Sequence, residues 1–306
     1  MARKRKGREV SGWLCLDKAI GLTSTGAVGS IKRLFGAAKV GHAGTLDPLA
    51  SGVLPIALGD ATRTVPFVQD GRKVYRFTVR WGVETDSDDA DGAVTRTSNL
   101  RPDADAIRAL LPGFTGQIMQ RPPSYSAIKV EGQRAYDLAR EGAAVVLDER
   151  PVVIHRLALT ETPDADHAVF ETECGKGTYV RSLARDLGRD LGCLGHVVAL
   201  RRMVVGPFDS DHAVTLEELI AAREAGDASA IDRFLMPVAV ALTELPEIAL
   251  GLSDAARIGR GQSVLLRGQQ APLAAPAAYA SHGGRAIALG EISEGQFHPT
   301  RVFRPN

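Results

Sequence analysis

The chain has 306 residues, 44% hydrophobic and 24% charged, an ordinary globular composition with enough apolar material for one large domain or two unequal ones. Its 37 basic and 36 acidic residues leave a net charge of +1, so bulk charge does not announce a nucleic-acid partner. The three cysteines, Cys15, Cys174 and Cys193, form no C-x-x-C pair, which argues against a disulfide framework or a cysteine zinc site and fits a reducing compartment.

Arg3, Lys4, Arg5, Lys6 and Arg8 form a basic N-terminal arm, of the kind that either neutralises phosphates or is simply solvated. The apolar run at 12–16 stops at Asp17 and Lys18, too soon for a signal peptide, and no other run is long enough to span a bilayer. A cytoplasmic protein is expected.

In chain order, residues 13–16 read as a short buried strand. Ser24 or Thr25 then caps a helix whose apolar side is Val28, Ile31, Leu34 and Phe35. A glycine-rich loop covers 41–52. From Tyr75 the pattern alternates, with Tyr75, Phe77, Val79, Trp81 and Val83 on one face and Arg76, Thr78 and Arg80 on the other, which predicts a half-buried strand. Residues 86–92 are acidic and turn-like, and 105–111 suggest a short helix. A polar excursion runs from Arg121 to about Pro151 and contains a predicted helix at 134–140. Strands are expected at 152–159 and 168–174, and a helix at 182–191, where Leu183, Leu187 and Leu191 recur every fourth position. Composition shifts near residue 244. Beyond it lie an alanine-rich bridge at 271–280 and strands at 286–289 and 301–303. No internal repeat is evident.

Several chemistries fall away on spacing. The 41–52 loop lacks the Gly-Lys-Ser/Thr ending of a phosphate-binding loop, and none of the seven histidines stands in an H-E-x-x-H arrangement. The stretch 86–92, DSDDADG, misses the alternating carboxylates of a calcium loop, and its twelfth position is Thr97 rather than a bidentate Glu; a solvated turn is the expectation there. Asp47-Pro48, taken alone, signals a turn or a helix start.

The segment 41–63, GHAGTLDPLASGVLPIALGDATR, resembles the defining motif of the TruB family of tRNA pseudouridine synthases, continuously over some twenty residues. The likeness extends through Asp17-Lys18, Gly21-x-Thr23-Ser24, Lys73-Val74-Tyr75, the loop 85–92 and Pro123-Ser124-Tyr125-Ser126-Ala127-Ile128-Lys129. It continues in Gly175-Lys176-Gly177-Thr178-Tyr179-Val180-Arg181, Leu191-Gly192, His196 and Leu200-Arg201-Arg202. Ala19 departs from the family's usual proline. The C-terminal region resembles the family's small RNA-binding PUA domain only weakly.

The resemblance implies an α+β fold: a mixed, largely antiparallel sheet with flanking helices, spanning 1–243, followed by a small β-barrel-like PUA unit at 244–306. It implies isomerisation of a T-loop uridine in tRNA, by moving the bond at C1′ from N1 to C5 of the same base. That reaction involves no redox step, so neither cofactor nor metal is expected. Asp47 matches the family's catalytic aspartate. The sequence leaves open whether it attacks C1′, adds to the base or removes a sugar proton. Arg181 matches the arginine paired with that aspartate, favouring its ionised form. Tyr75 matches the tyrosine that stacks on the target base, and His42 the histidine that fills the space of the flipped nucleotide. Tyr179 and Leu200 match positions contacting the bound uridine.

The excursion at 121–151 resembles the family's flexible thumb, where Lys129, Arg134 and Arg140 are placed to reach phosphates. A monomer is expected, with tRNA as the partner and no protein or membrane partner implied. Two other readings compete: a non-catalytic tRNA-binding protein or folding chaperone on the same scaffold, and a base-excising glycosylase using the same carboxylate. Retention of Asp47, Tyr75 and Arg181 together favours the synthase.

Overall fold

The computed structural model describes residues 7–126, 128–130, 133–134, 147–226, 229–267 and 272–304. Its centre is a ten-stranded mixed sheet. Eight strands follow one another in the order Val214–Thr215, Gly12–Lys18, Ala50–Leu58, Gly195–Val205, Lys73–Trp81, His167–Cys174, Arg150–Asp164 and Gly116–Gln120. Two of these seven neighbour pairings are parallel, Gly12–Lys18 with Val214–Thr215 and Gly195–Val205 with Ala50–Leu58. The rest are antiparallel, as expected. No described helix is long and apolar enough to cross a membrane.

The period-two pattern predicted at 75–83 is realised in the strand Lys73–Trp81, where Phe77, Val79 and Trp81 are buried and Arg76 and Arg80 exposed. Phe77 stacks on Phe170, and Trp81 meets the same ring edge-on, geometries that suit aromatic quadrupoles. The strand ends at Gly82. Val83 instead begins a separate hairpin between Val83–Thr85 and Val94–Thr97.

The first helix spans Ser24–Phe35 and buries Ala27, Ile31 and Phe35 against the sheet. Its cap is Thr23, whose hydroxyl accepts from the Gly26 N–H, one residue before the expected position. Ser24 is turned inward instead. The helix Val180–Asp190 buries Leu183 and Leu187, as their spacing predicts, but also Arg181 and Arg185.

Three other expectations change. Residues 86–92 do not form a solvated turn, because Ser87, Asp88 and Asp89 are buried, at 7%, 5% and 3% exposure. The alanine-rich bridge contains a strand, Ala275–His282, with Ala278 and Ala280 buried; pairing with Arg285–Ser293 outweighs alanine's weak strand preference. Arg134 belongs to a short strand pair, Lys129–Val130 with Gln133–Arg134, rather than a helix. The remainder of that predicted helix, with Arg140, and arm residues 3–6 lie outside the described residues.

A second, five-stranded sheet begins at Glu247 and runs in the order Glu247–Ala249, Ala275–His282, Arg285–Ser293, Gln296–Val302, Val264–Leu265. It has a core of its own around Ile258, Val264, Ala288 and Phe297. Leu242, Tyr279, Leu289 and Phe303 form a further cluster with Phe67, which lies in the short helix Val65–Asp70, and this cluster joins the second sheet to the rest of the protein.

Candidate active site

Asp47 lies in the turn that leads directly into the strand Ala50–Leu58. Three contacts fix this loop from different directions. The Ser24 hydroxyl accepts from the Leu46 N–H and donates to the Leu46 carbonyl, both at 2.9 Å, so it holds the residue next to Asp47 at both ends. The Gly21 N–H donates to the Pro48 carbonyl at 2.7 Å. Beneath the loop, Arg202 donates to the carbonyls of Gly44, Thr45 and Val53. Gly52, at φ +101°, is forced by close approach: a Cβ there would stand 2.2 Å from the Arg202 carbonyl oxygen.

The Asp47 carboxylate, 37% exposed, meets the Arg181 Nη2 at 2.9 Å, and Arg181 is itself 6% exposed. Arg181 is a hub. Its Nη1 donates to the Ser87 carbonyl at 2.9 Å and to Asp89 Oδ2 at 3.1 Å, while Nη2 also donates to the Tyr125 carbonyl at 2.8 Å. The acidic loop is therefore buried because it faces arginines. Asp88, at φ +62°, accepts from Arg185 at 2.8 Å. Burial nonetheless pushes the Asp88 carboxyl up to about 6 and raises that of Asp89, against the pull of Arg185, Arg181 and, for Asp89, the Ser87 hydroxyl. Arg185 also donates to the Arg121 carbonyl, as does the Ser182 hydroxyl, which ties the start of the excursion to the same helix.

Asp47, Tyr75, Tyr179, Arg181 and Leu200 converge on one cleft of about 320 Å³, with Ser126 and Arg202 also on its wall. Tyr75 projects from the strand Lys73–Trp81, half-buried. Burial raises its phenol pKa, and the neighbouring Arg202 charge pulls it back down. Tyr179 stands just before the helix Val180–Asp190, and its phenol is likewise raised, chiefly by burial. Leu200, 8% exposed, lies between Phe77 and Ala50 in the neighbouring strands. His42 is apart from this cleft: it ends the short strand Val40–His42. Its Nδ1 is buried without a hydrogen-bond partner among the described residues, and burial, followed by the Arg202 charge, lowers its pKa.

Sequence reasoning placed Asp89 near the site but left it out of the candidate residues, and it passed over Gln120, Ser24 and Arg202 as site residues. Asp89 and Arg202 stood within recognisable motifs, but nothing local indicated which groups they would meet. Lys18 is also part of the site's surroundings. It is 1% exposed, donates to the Ala19 and Leu22 carbonyls, and burial lowers its pKa to about 8 despite the nearby Asp47 charge.

A larger cleft, of about 660 Å³, opens beside Arg121, Glu149, Arg185 and Arg189. Its arginines are all tied to carboxylates, at Glu149, Asp88, Asp186 and Glu84.

Residues 32–180 match the TruB family pseudouridylate synthase N-terminal domain, and residues 181–243 the tRNA pseudouridylate synthase B C-terminal domain. A tRNA pseudouridine synthase B from Bradyrhizobium diazoefficiens is 58% identical over 302 residues, covering 98% of this chain and 88% of the relative. One from Agrobacterium fabrum is 56% identical over 305 residues, covering 98% and 97%. Among solved structures, a Cbf5-Nop10-Gar1 complex aligns with a TM-score of 0.72 at 25% identity, over 96% of this chain and 85% of that one. Matches at this identity along nearly the full length, on a fold that pairs the loop aspartate Asp47 with Arg181, leave one conclusion: the chain belongs to the TruB family of pseudouridylate synthases.

Proposed function

We propose that this protein isomerises a uridine in the T-loop of tRNA to pseudouridine, with Asp47 as the nucleophile and the target base flipped out beside Tyr75. The observation that carries this reading is the 2.9 Å pair between Asp47 and Arg181 at a cleft shared with Tyr75, Tyr179 and Leu200. The full-length likeness to proteins named tRNA pseudouridine synthase B supports tRNA as the substrate.

Arg181 favours the ionised carboxylate and orients it. Tyr75 supplies an aromatic face on which an extruded base stacks, and Tyr179 and Leu200 complete the walls around the uridine. His42, upstream of the cleft, takes the role of entering the T-loop where the nucleotide has left. Flipping a base costs a few kcal/mol, and contacts outside the cleft offset that cost. We assign them to the thumb at 121–151, with Lys129, Arg134 and Arg140 reaching phosphates, and to a PUA-like unit at 244–306. The catalytic unit spans 1–243, and the protein works as a cytoplasmic monomer.

The test is nucleoside analysis of tRNA treated with the purified protein, with the modified position mapped. Pseudouridine in the T-loop at unchanged RNA mass is the expected result. An abasic site would indicate a glycosylase, and unaltered RNA a binding protein or chaperone. Asp47→Asn is expected to abolish conversion while leaving tRNA affinity within about threefold; comparable conversion by that variant would remove Asp47 from the mechanism.

A further inference from the structure

Arg202 is 1% exposed and is among the largest fully buried side chains in the protein. It occupies the strand Gly195–Val205, directly across from Tyr75 on one side and Gly52 on the other. Its Nε donates to the Val53 carbonyl at 2.8 Å, Nη1 to Thr45 at 3.2 Å and Nη2 to Gly44 at 3.1 Å. These carbonyls bracket Asp47, two before it and one after.

The guanidinium differs from the other site arginines in one respect. Arg181, Arg185, Arg189 and Arg201 each meet a carboxylate, whereas no ion pair among the described residues includes Arg202. A buried cation whose partners are three neutral carbonyls and the Tyr75 phenol, with no carboxylate, is costly. Its field reaches the cleft: it opposes protonation of Lys18, His42 and Lys73 and favours ionisation of the Tyr75 phenol.

The proposed reaction gives that charge a use. When the C1′–N1 bond breaks, its electron pair stays on N1, and the detached uracil is an anion while Asp47 holds C1′. The base then turns, C5 bonds to C1′ and the Asp47 carboxylate is released. The proton on C5 is lost to a base and one is delivered to N1, so charge and atoms balance without an oxidant. A fixed positive charge in a water-poor site stabilises such a transient anion far better than it would in water.

We propose that Arg202 is a positioning residue that stabilises the detached base as its anion, through the Tyr75 hydroxyl and through space, while setting the loop that carries Asp47. This inference rests on the isomerisation proposed above. It does not require Arg202 to touch the substrate.

Two variants separate charge from hydrogen bonding. Arg202→Gln keeps a neutral donor, and Arg202→Lys keeps the charge but loses the fork that spans three carbonyls. In single turnover with saturating enzyme, Arg202→Gln is expected to lose about a hundredfold or more in rate. Its tRNA Kd should stay within about threefold of wild type. Arg202→Lys should recover at least about tenfold of that loss. Equal losses in the two variants, or a loss carried by Kd, would overturn the electrostatic role. Thermal unfolding of each variant reports whether it folds. If Arg202→Gln does not, folded Arg202→Lys decides: a rate within about tenfold of wild type supports the proposal, and a loss of about a hundredfold overturns it. Wild-type protein that makes no pseudouridine would sink the isomerisation reading itself, a result distinct from either variant outcome.

Discussion

Gln120 holds both backbone polar groups of Tyr179: Oε1 accepts from the Tyr179 N–H at 2.8 Å, and Nε2 donates to the Tyr179 carbonyl at 3.1 Å. Gln120 is 2% exposed and closes the outermost strand, Gly116–Gln120. The helix that begins at Val180 has no side-chain cap from Tyr179. One amide from the sheet's far edge therefore sets where this helix starts, and with it the direction of Arg181.

Gln120→Ala leaves the part-buried Tyr179 N–H without a partner and the Tyr179 carbonyl with only the Leu183 N–H, and an orphaned donor of this kind costs about 1–3 kcal/mol. The expected outcome is lower stability in urea unfolding together with a slower single-turnover rate, since Tyr179 and Arg181 both shift. Gln120→Glu keeps the acceptor for the Tyr179 N–H and loses the donor to its carbonyl, so it should fall between. An active, fully stable alanine variant would show that the helix start is set elsewhere.

Arg181 serves two carboxylates and two carbonyls at once, Asp47, Asp89, Ser87 and Tyr125. A lysine has one nitrogen and cannot reproduce that fork. Arg181→Lys is expected to fold and to lose about a hundredfold or more in single-turnover rate through misplacement of Asp47. Arg181→Ala leaves Asp89 buried without its cation and should cost about 3–5 kcal/mol in stability. Chemical denaturation alongside rate measurement checks both. A lysine variant within a few-fold of wild type would mean that the pair does not orient the carboxylate.

The parts of this site that sequence made legible are those with local patterns. The likeness of the glycine-rich loop to the family motif pointed to Asp47, alternation announced the strand with Tyr75, and leucines every fourth residue announced a helix at 182–191, which in the structure starts at Val180 and so includes Arg181. The supporting partners were hidden because they lie far apart in the chain. Asp89 meets Arg181 across 92 residues and Asp88 meets Arg185 across 97, so an acidic stretch that looks solvated in isolation is buried. Ser24 looked like a helix cap by position, yet its hydroxyl serves Leu46, 22 residues on. Arg202 appeared in the sequence only as the end of the Leu200-Arg201-Arg202 stretch, and the carbonyls it holds lie about 150 residues earlier in the chain. Local period and propensity do not encode such partners.

Lys18 gives the site a pH signature. Its pKa falls to about 8 from an ordinary 10.5, mainly through burial, with the Arg202 charge adding to the fall and Asp47 opposing it. Below about 8 both folded and unfolded chains hold the proton, and the cost of burying the charge is present in full. Between the two values the unfolded chain retains a proton that the folded chain has released, so stability gains with rising pH across that window. Groups elsewhere titrate in alkali too, so the comparison is with Lys18→Met. The difference in unfolding free energy between the two proteins should move in favour of wild type as pH rises through about 8 to 10. A difference that stays flat would mean that Lys18 is not held as a buried cation at neutral pH.

The C-terminal sheet is tied to the rest of the protein by both packing and hydrogen bonds. Phe67, Leu242, Tyr279, Leu289 and Phe303 share one apolar cluster. The Arg304 N–H donates to Asp60 Oδ2 at 2.6 Å, and Arg63 donates to the Val302 carbonyl at 2.6 Å. Removing residues 244–306 therefore does two things: it takes away the proposed RNA-binding unit and it uncovers Phe67 and Leu242. Each large apolar side chain so exposed costs about 1.5–3 kcal/mol, so the truncated protein should melt at lower temperature. Phe67→Ser with Leu242→Ser in the truncated chain restores a polar surface there without restoring the unit. The cleft's named residues all lie before residue 244, so chemistry at saturating enzyme should be slowed less than binding is weakened. The expected result is a tRNA Kd raised by about tenfold or more, with a single-turnover rate changed by less than about threefold. Equal tRNA affinity in the truncated and full-length proteins would take RNA binding away from the C-terminal unit and leave it a purely structural part.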